Sequence, residues 1–76
     1  MKSVNIRLST IQDIRDFVEI VSKEDADIDL CSGRYVVDGK SIMGIFSLDL
    51  LNPIKLTVHS DETGSLLEDL DRFIVK

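Results

Sequence analysis

The chain has 76 residues, 43% of them hydrophobic, and a formal net charge of −5. This length predicts a single domain over residues 1–76, and the negative charge without a Lys/Arg cluster argues against a nucleic-acid partner. No apolar run approaches the roughly 18 residues that span a membrane, and we expect no signal peptide from the first residues. Because the one cysteine, Cys31, cannot form an internal disulfide, we expect a cytoplasmic protein.

The chain begins with a strand pattern followed by a helix pattern. Residues 2–8, KSVNIRL, alternate apolar and polar side chains as a half-buried strand does. Ser9 and Thr10 are followed three residues later by Gln12 and Asp13, respectively, which is the spacing of a capping box. Apolar residues then recur at helical spacing, which predicts an amphipathic helix over residues 10–22.

Two short strands and a second helix are predicted next. Residues 26–32 (ADIDLCS) and 34–37 (RYVV) are typical of strands, and the turn signal Ser32-Gly33 between them predicts a hairpin. The stretch 39–51, GKSIMGIFSLDLL, predicts a helix that Asn52-Pro53 ends, because proline disfavours the α conformation in the preceding residue. The residues that suit the buried face of this helix are Ile42, Ile45, Phe46 and Leu50.

The last part of the chain predicts a strand and a closing helix. Residues 54–58, IKLTV, alternate as a strand does. The apolar residues of the closing helix are Leu66, Leu67, Leu70, Phe73 and Ile74. The element order β-α-β-β-α-β-α therefore predicts an α+β protein: a four-stranded antiparallel sheet with three helices on one face.

The sequence offers little for an enzyme or a metal site. His59 is the single histidine and no nucleophile elbow accompanies it, so a hydrolase triad has almost no support. Cys31 has no neighbour that would stabilise a thiolate. We predict no enzyme activity, no cofactor and no metal, and we interpret these acidic residues as a solvated surface: Glu24, Asp25, Asp27, Asp29, Asp61 and Glu62.

The element order and the segments SKEDADIDL and GKSIMGIFSL resemble HPr, the histidine phosphocarrier of the bacterial phosphotransferase system. The similarity runs without a gap from about Val18 to Leu50 and continues more loosely through KLTV and the last helix. The resemblance implies an HPr-like open-faced β-sandwich. Within it, KSIMG is similar to the regulatory-serine motif of HPr proteins from low-GC Gram-positive bacteria.

The resemblance also implies site residues. Ser41 falls on the position that the ATP-dependent HPr kinase phosphorylates, and Lys40 beside it could pair with that charge. Ile42, Met43 and Phe46 fall on the apolar patch that docks Enzyme I and transcriptional regulators. From the residues alone, an ordinary helix N-cap is the favoured interpretation of Ser41, and the resemblance makes a phosphorylation site equal to it. The apolar residues could be core; Met43 lies furthest from the buried face and is the one we expect to be exposed.

One expected feature is absent from the sequence. HPr proteins carry their phosphoryl group on a histidine in a loop that reads roughly G-[IL]-H-[AT]-R-P, whereas this chain has LSTIQDI there. Aligned without a gap, Thr10 occupies the histidine position, and we interpret it as a helix cap. A threonine phosphoester is too stable to pass its phosphoryl group on. His59 is predicted at the other end of the sheet, as an exposed residue at a strand end.

These observations predict a non-catalytic HPr-like interaction module, switched by phosphorylation at Ser41. The expected partners are HPr kinase and surfaces like those of Enzyme I or of transcriptional regulators, with no nucleic acid and no membrane. Two alternatives stay open: a true phosphocarrier in sugar transport, and a structural relative without phosphorylation.

Overall fold

The computed structural model describes residues 1–75, and its framework is one antiparallel sheet. The strands lie side by side in the order β1-β4-β2-β3. Their bounds are β1 (Lys2–Ile6), β2 (Ile28–Ser32), β3 (Tyr35–Asp38) and β4 (Ile54–Val58).

Three helices accompany the sheet, and their bounds are α1 (Ile11–Val21), α2 (Ile42–Phe46) and α3 (Gly64–Asp69). The predicted α+β class and element order are confirmed. Among residues 1–75, no helix combines the length and the apolar character needed to cross a membrane.

The core lies between the helices and one face of the sheet. Every second strand residue points into it, so Leu30 and Leu56, which face each other in the ladder, are fully buried. The opposite face is polar in places: the hydroxyls of Ser3 and Thr57 pair at 3.0 Å on an exposed surface. This arrangement matches the alternation that the sequence shows.

Helix α1 contributes a large aromatic side chain to the core. Phe17 is fully buried, and its ring meets the ring of Phe73 edge-on, with centroids 6.1 Å apart and planes at 82°. An edge-to-face contact between two aromatic rings stabilises the fold by more than the apolar area that it buries. The contact fixes α1 against the C-terminal part of the described chain.

Helix α2 is shorter than the sequence predicts, because it ends at Phe46 and does not continue toward residue 51. The Ser47 hydroxyl donates to the Gly44 carbonyl at 2.6 Å. The Asp49 carboxylate then accepts from the Leu51 amide at 3.0 Å and from the Asn52 side chain at 2.9 Å. Such side-chain bonds give the backbone an alternative to helical bonding, so the helix ends well before the proline.

The predicted closing helix is also interrupted. Helix α3 ends at Asp69, a 3₁₀ turn spans Asp71–Phe73, and Ile74 is extended. Ile74 bridges to Ile6 and the Val75 amide donates to the Asn5 carbonyl at 2.9 Å. Backbone pairing with β1 therefore replaces further helical turns.

Strand β1 is correspondingly shorter than the predicted residues 2–8. Its pairing with β4 ends at Ile6, which faces Ile54. The Arg7 amide still donates to the Phe73 carbonyl at 2.8 Å, and this is the second hydrogen bond of the bridge between Ile6 and Ile74. Leu8 is nevertheless fully buried, as its apolar character predicts.

Candidate functional site

The strand register sorts the candidate residues between the two ends of the sheet. Ile6 pairs with Ile54 at one end, and Lys2 pairs with Val58 at the other. The loop that carries Thr10 follows the first pair, whereas residue 59 follows the second. The expectation that His59 lies opposite the Thr10 loop therefore agrees with the register.

Thr10 is the N-cap of α1. Its hydroxyl accepts from the Asp13 amide at 3.0 Å, and the Asp13 carboxylate accepts in return from the amides of Thr10, at 3.3 Å, and Ser9, at 3.1 Å. This is the complete capping box that the spacing predicts. Capping of α1 is therefore a sufficient structural reason for a threonine at position 10.

A groove of about 360 Å³ lies beside this cap, between Arg7, Ser9 and the C-terminal segment 72–75. Arg72 lies along it: the guanidinium sits 4.3 Å from the centre of the Phe73 ring and donates to Asp16 at 2.7 Å. The side-chain hydrogen bond from Arg72 lowers the pKa of Asp16, and a second one from Gln12 acts in the same direction. Sequence reasoning missed this group, because Asp16 and Arg72 are far apart along the chain.

Ser41 lies at the other end of the sheet and caps α2. Its hydroxyl accepts from the Gly44 amide at 3.2 Å, and its own amide donates to the Asp38 carbonyl at 3.0 Å. Ser41 is half-buried. The expected cap is therefore present, and phosphorylation of this residue stays a prediction.

Lys40 has a partner that the sequence does not indicate. Its ammonium group donates to the Glu24 carbonyl, in the loop after α1, at 2.6 Å. Its amide donates to the Asp38 carboxylate at 2.9 Å. The bond to Glu24 uses one of the three N–H donors of the ammonium group.

The apolar residues of α2 divide between core and surface. Ile45 is fully buried and Ile42 half-buried, whereas Met43 is 76% and Phe46 44% exposed. Met43 is exposed as expected, and Phe46 lies on the surface although helical spacing placed it on the buried face. Leu51, beyond the end of the helix, is 86% exposed. We call Met43 and Phe46, with the half-buried Ile42, the α2 patch.

His59 lies beside Asp29, with 2.7 Å between the imidazole Nε2 and the carboxylate oxygen. Its side chain is 39% exposed. Cys31, in β2, is half-buried, and its thiol donates weakly to the Gly33 carbonyl at 3.8 Å. Within residues 1–75, no three His, Cys, Asp or Glu side chains come together as metal ligands.

Comparison with known proteins adds a family context. No protein-family model and no curated protein sequence matches the chain. Among solved structures, HPr-C-His from Thermoanaerobacter tengcongensis is 29% identical with a TM-score of 0.80, over 95% of this chain and 89% of that one. Phosphocarrier protein HPr from Bacillus anthracis str. Ames is 27% identical with a TM-score of 0.72, over 97% of this chain and 94% of that one.

A third similar structure is a histidine-containing phosphocarrier protein, described in the context of the divergence of Mycoplasma from Gram-positive bacteria. It is 14% identical with a TM-score of 0.71, over 93% of this chain and 86% of that one, so it bears on the fold alone. The architecture is that of the HPr fold. The two more similar structures support a relation to the HPr family of the phosphotransferase system.

The capping box yields a direct test. Replacing Thr10→Ala removes the hydroxyl that accepts from the Asp13 amide, and we expect the free energy of unfolding to fall by about 1 kcal/mol. Ser9→Ala is the matched control, since only the Ser9 backbone takes part in the box. Urea unfolding measures both variants. Equal stability of Thr10→Ala and the wild type would contradict the capping role.

Proposed function

We propose that this chain is an HPr-like protein of the phosphotransferase system or its regulation that binds partner proteins and does not carry phosphoryl groups on histidine. The observation that supports it most is the α2 patch: Met43 and Phe46 are exposed on the helix that Ser41 caps. A short helix that leaves two of its large apolar side chains in water has surface available for another protein. The flexible thioether of Met43 suits an adaptable contact.

The residues at both ends of the sheet argue against a phosphocarrier function. At the position of the HPr histidine stands Thr10, whose hydroxyl caps α1. The single histidine, His59, is at the far end and next to the carboxylates Asp27 and Asp29. An incoming phosphoryl group is anionic, so these carboxylates oppose its approach.

A phosphate on Ser41 would act as a switch through charge. It adds about −1.5 to −2 charge at neutral pH, two residues from Met43. The nearest acidic group along the chain is Asp38, whose carboxylate already accepts from the Lys40 amide. The added charge thus changes the character of the surface next to the α2 patch and alters which partner it can bind.

The modification is tested with ATP and an HPr kinase from a low-GC Gram-positive bacterium, with intact mass as the readout. We expect the wild type to gain one phosphoryl group and Ser41→Ala to gain none. Ser47→Ala is the matched control, because Ser47 lies at the other end of α2. No gain by the wild type, or a gain that persists in Ser41→Ala, would contradict the switch.

Carrier activity is tested separately with phosphoenolpyruvate and Enzyme I. We expect no acid-labile phosphoryl group on the wild type, while a conventional HPr in a parallel reaction becomes labelled. Label on the wild type that disappears in His59→Gln would replace our proposal with a carrier whose histidine has moved.

The docking role is tested with the charge substitution Met43→Asp. Because Met43 is 76% exposed, we expect little change in stability but an affinity for Enzyme I at least about tenfold lower, as for a residue central to an interface. Val36→Asp is the control: it introduces the same group at a 62% exposed position on β3. Titration calorimetry measures both, and an equal loss in the two variants would argue against the α2 patch.

A further inference from the structure

Strand β3 is a free edge of the sheet. It pairs with β2 on one side, and within residues 1–75 no strand lies on its other side. The opposite edge, β1, is partly covered, since Ile74 bridges to Ile6 and the Val75 amide donates to the Asn5 carbonyl. The two edges of the sheet are therefore unequal, and β3 is the one open to another strand.

The hydrogen bonds identify which backbone groups of β3 face outward. The Gly39 amide donates to the Ile28 carbonyl at 2.7 Å, so residue 39 points its backbone toward β2. Backbone direction alternates along an antiparallel strand. Tyr35 and Val37 therefore share the direction of Gly39, and Val36 directs both its N–H and its C=O outward.

The side chains of this edge are unusual for a strand left in water. Val36 is 62% exposed on one face of the sheet and Tyr35 69% exposed on the other. Edge strands are normally protected by proline, a bulge or a charge in the middle of the strand. Here the charges stand only at the two ends, and they have opposite signs: Arg34 before the strand and Asp38 at its last position.

We propose that β3 pairs antiparallel with β3 of a second copy of this chain, about a two-fold axis at Val36. Each Arg34 then lies opposite Asp38 of the other copy, and Val36 lies opposite Val36. If the two strands are shifted by two residues, outward-facing backbone groups still meet. Arg34 then lies opposite Val36, or Val36 opposite Asp38, so the opposite charges are no longer paired. Only the register centred on Val36 pairs both charges and both valines.

The same register uses the other face of the strand as well. Tyr35 of each copy lies opposite Val37 of the other, an aromatic and β-branched pair of the kind that stabilises sheets. The contact joins two four-stranded sheets through strands of only four residues. It is smaller than the roughly 1,200–2,000 Å² of a stable interface, so the dimer is weak and depends on concentration. This inference does not rest on the proposed function.

The first test measures association directly by sedimentation velocity, from about 10 µM to about 1 mM, the range in which a weak contact becomes populated. We expect the wild type to shift from monomer toward dimer. Arg34→Glu places a glutamate opposite Asp38 at each end of the contact. Because these carboxylates repel each other, we expect the dissociation constant of the dimer to rise about tenfold. Lys23→Glu makes the same charge change at an exposed loop position and leaves association unchanged. A wild type that stays monomeric throughout would overturn the proposal.

The second test fixes the register by disulfide trapping. Facing residues of a hydrogen-bonded antiparallel pair have Cα atoms about 5.5 Å apart, within the range of a disulfide. We expect Val36→Cys to form a covalent dimer on mild oxidation, and Tyr35→Cys, which faces Val37, to form much less. Both are made with Cys31→Ser, because Cys31 pairs with Val36 in the ladder and would capture the new thiol within one chain. Trapping through Tyr35→Cys in preference to Val36→Cys would overturn this register.

Discussion

The arrangement of this protein depends on the burial of β4 at the centre of the sheet. Ile54, Leu56 and Val58 are all buried, and the strand is antiparallel to both of its neighbours, β1 and β2. A slip of one residue would turn these three side chains to the open face, so the register is strongly specified. That register in turn decides that the loop after β1 and the residue after β4 lie at opposite ends of the molecule.

The parts of the fold that the sequence predicts are those held by local patterns. The alternation of β4 and the Thr10–Asp13 spacing each lie within a few residues, and both are found as predicted. The predicted C-terminal ends of the second helix and of the closing helix were wrong, because other hydrogen bonds compete with helix formation there. Asp49 forms local side-chain bonds, and Val75 bonds to Asn5, which is distant along the chain.

The same distinction holds for the candidate site. The Ser41 cap follows from its position before a helix, whereas the bond from Lys40 to Glu24 spans 16 positions and leaves no sequence signal. Helical spacing placed Phe46 on the buried face, whereas the resemblance placed it on a docking patch; it is exposed because a five-residue helix directs only Ile45 fully into the core. The similarity to HPr structures, at 27–29% identity, concerns the fold. Which reaction or binding the chain can perform depends on the residues at the candidate site.

The bond between Lys40 and Glu24 has a consequence for α1. The backbone dipoles of a helix sum to a partial negative charge at its C-terminal end, which a cation stabilises. Helix α1 has the acidic Asp13 in its first turn but no basic residue in its last. Lys40 adds a cation from a different segment, just beyond the last turn, where Lys23 also follows the C-cap Ser22. Acetylation of this lysine would thus lower the positive charge at the C-terminal end of α1, while the hydroxyl cap of α2 stays in place.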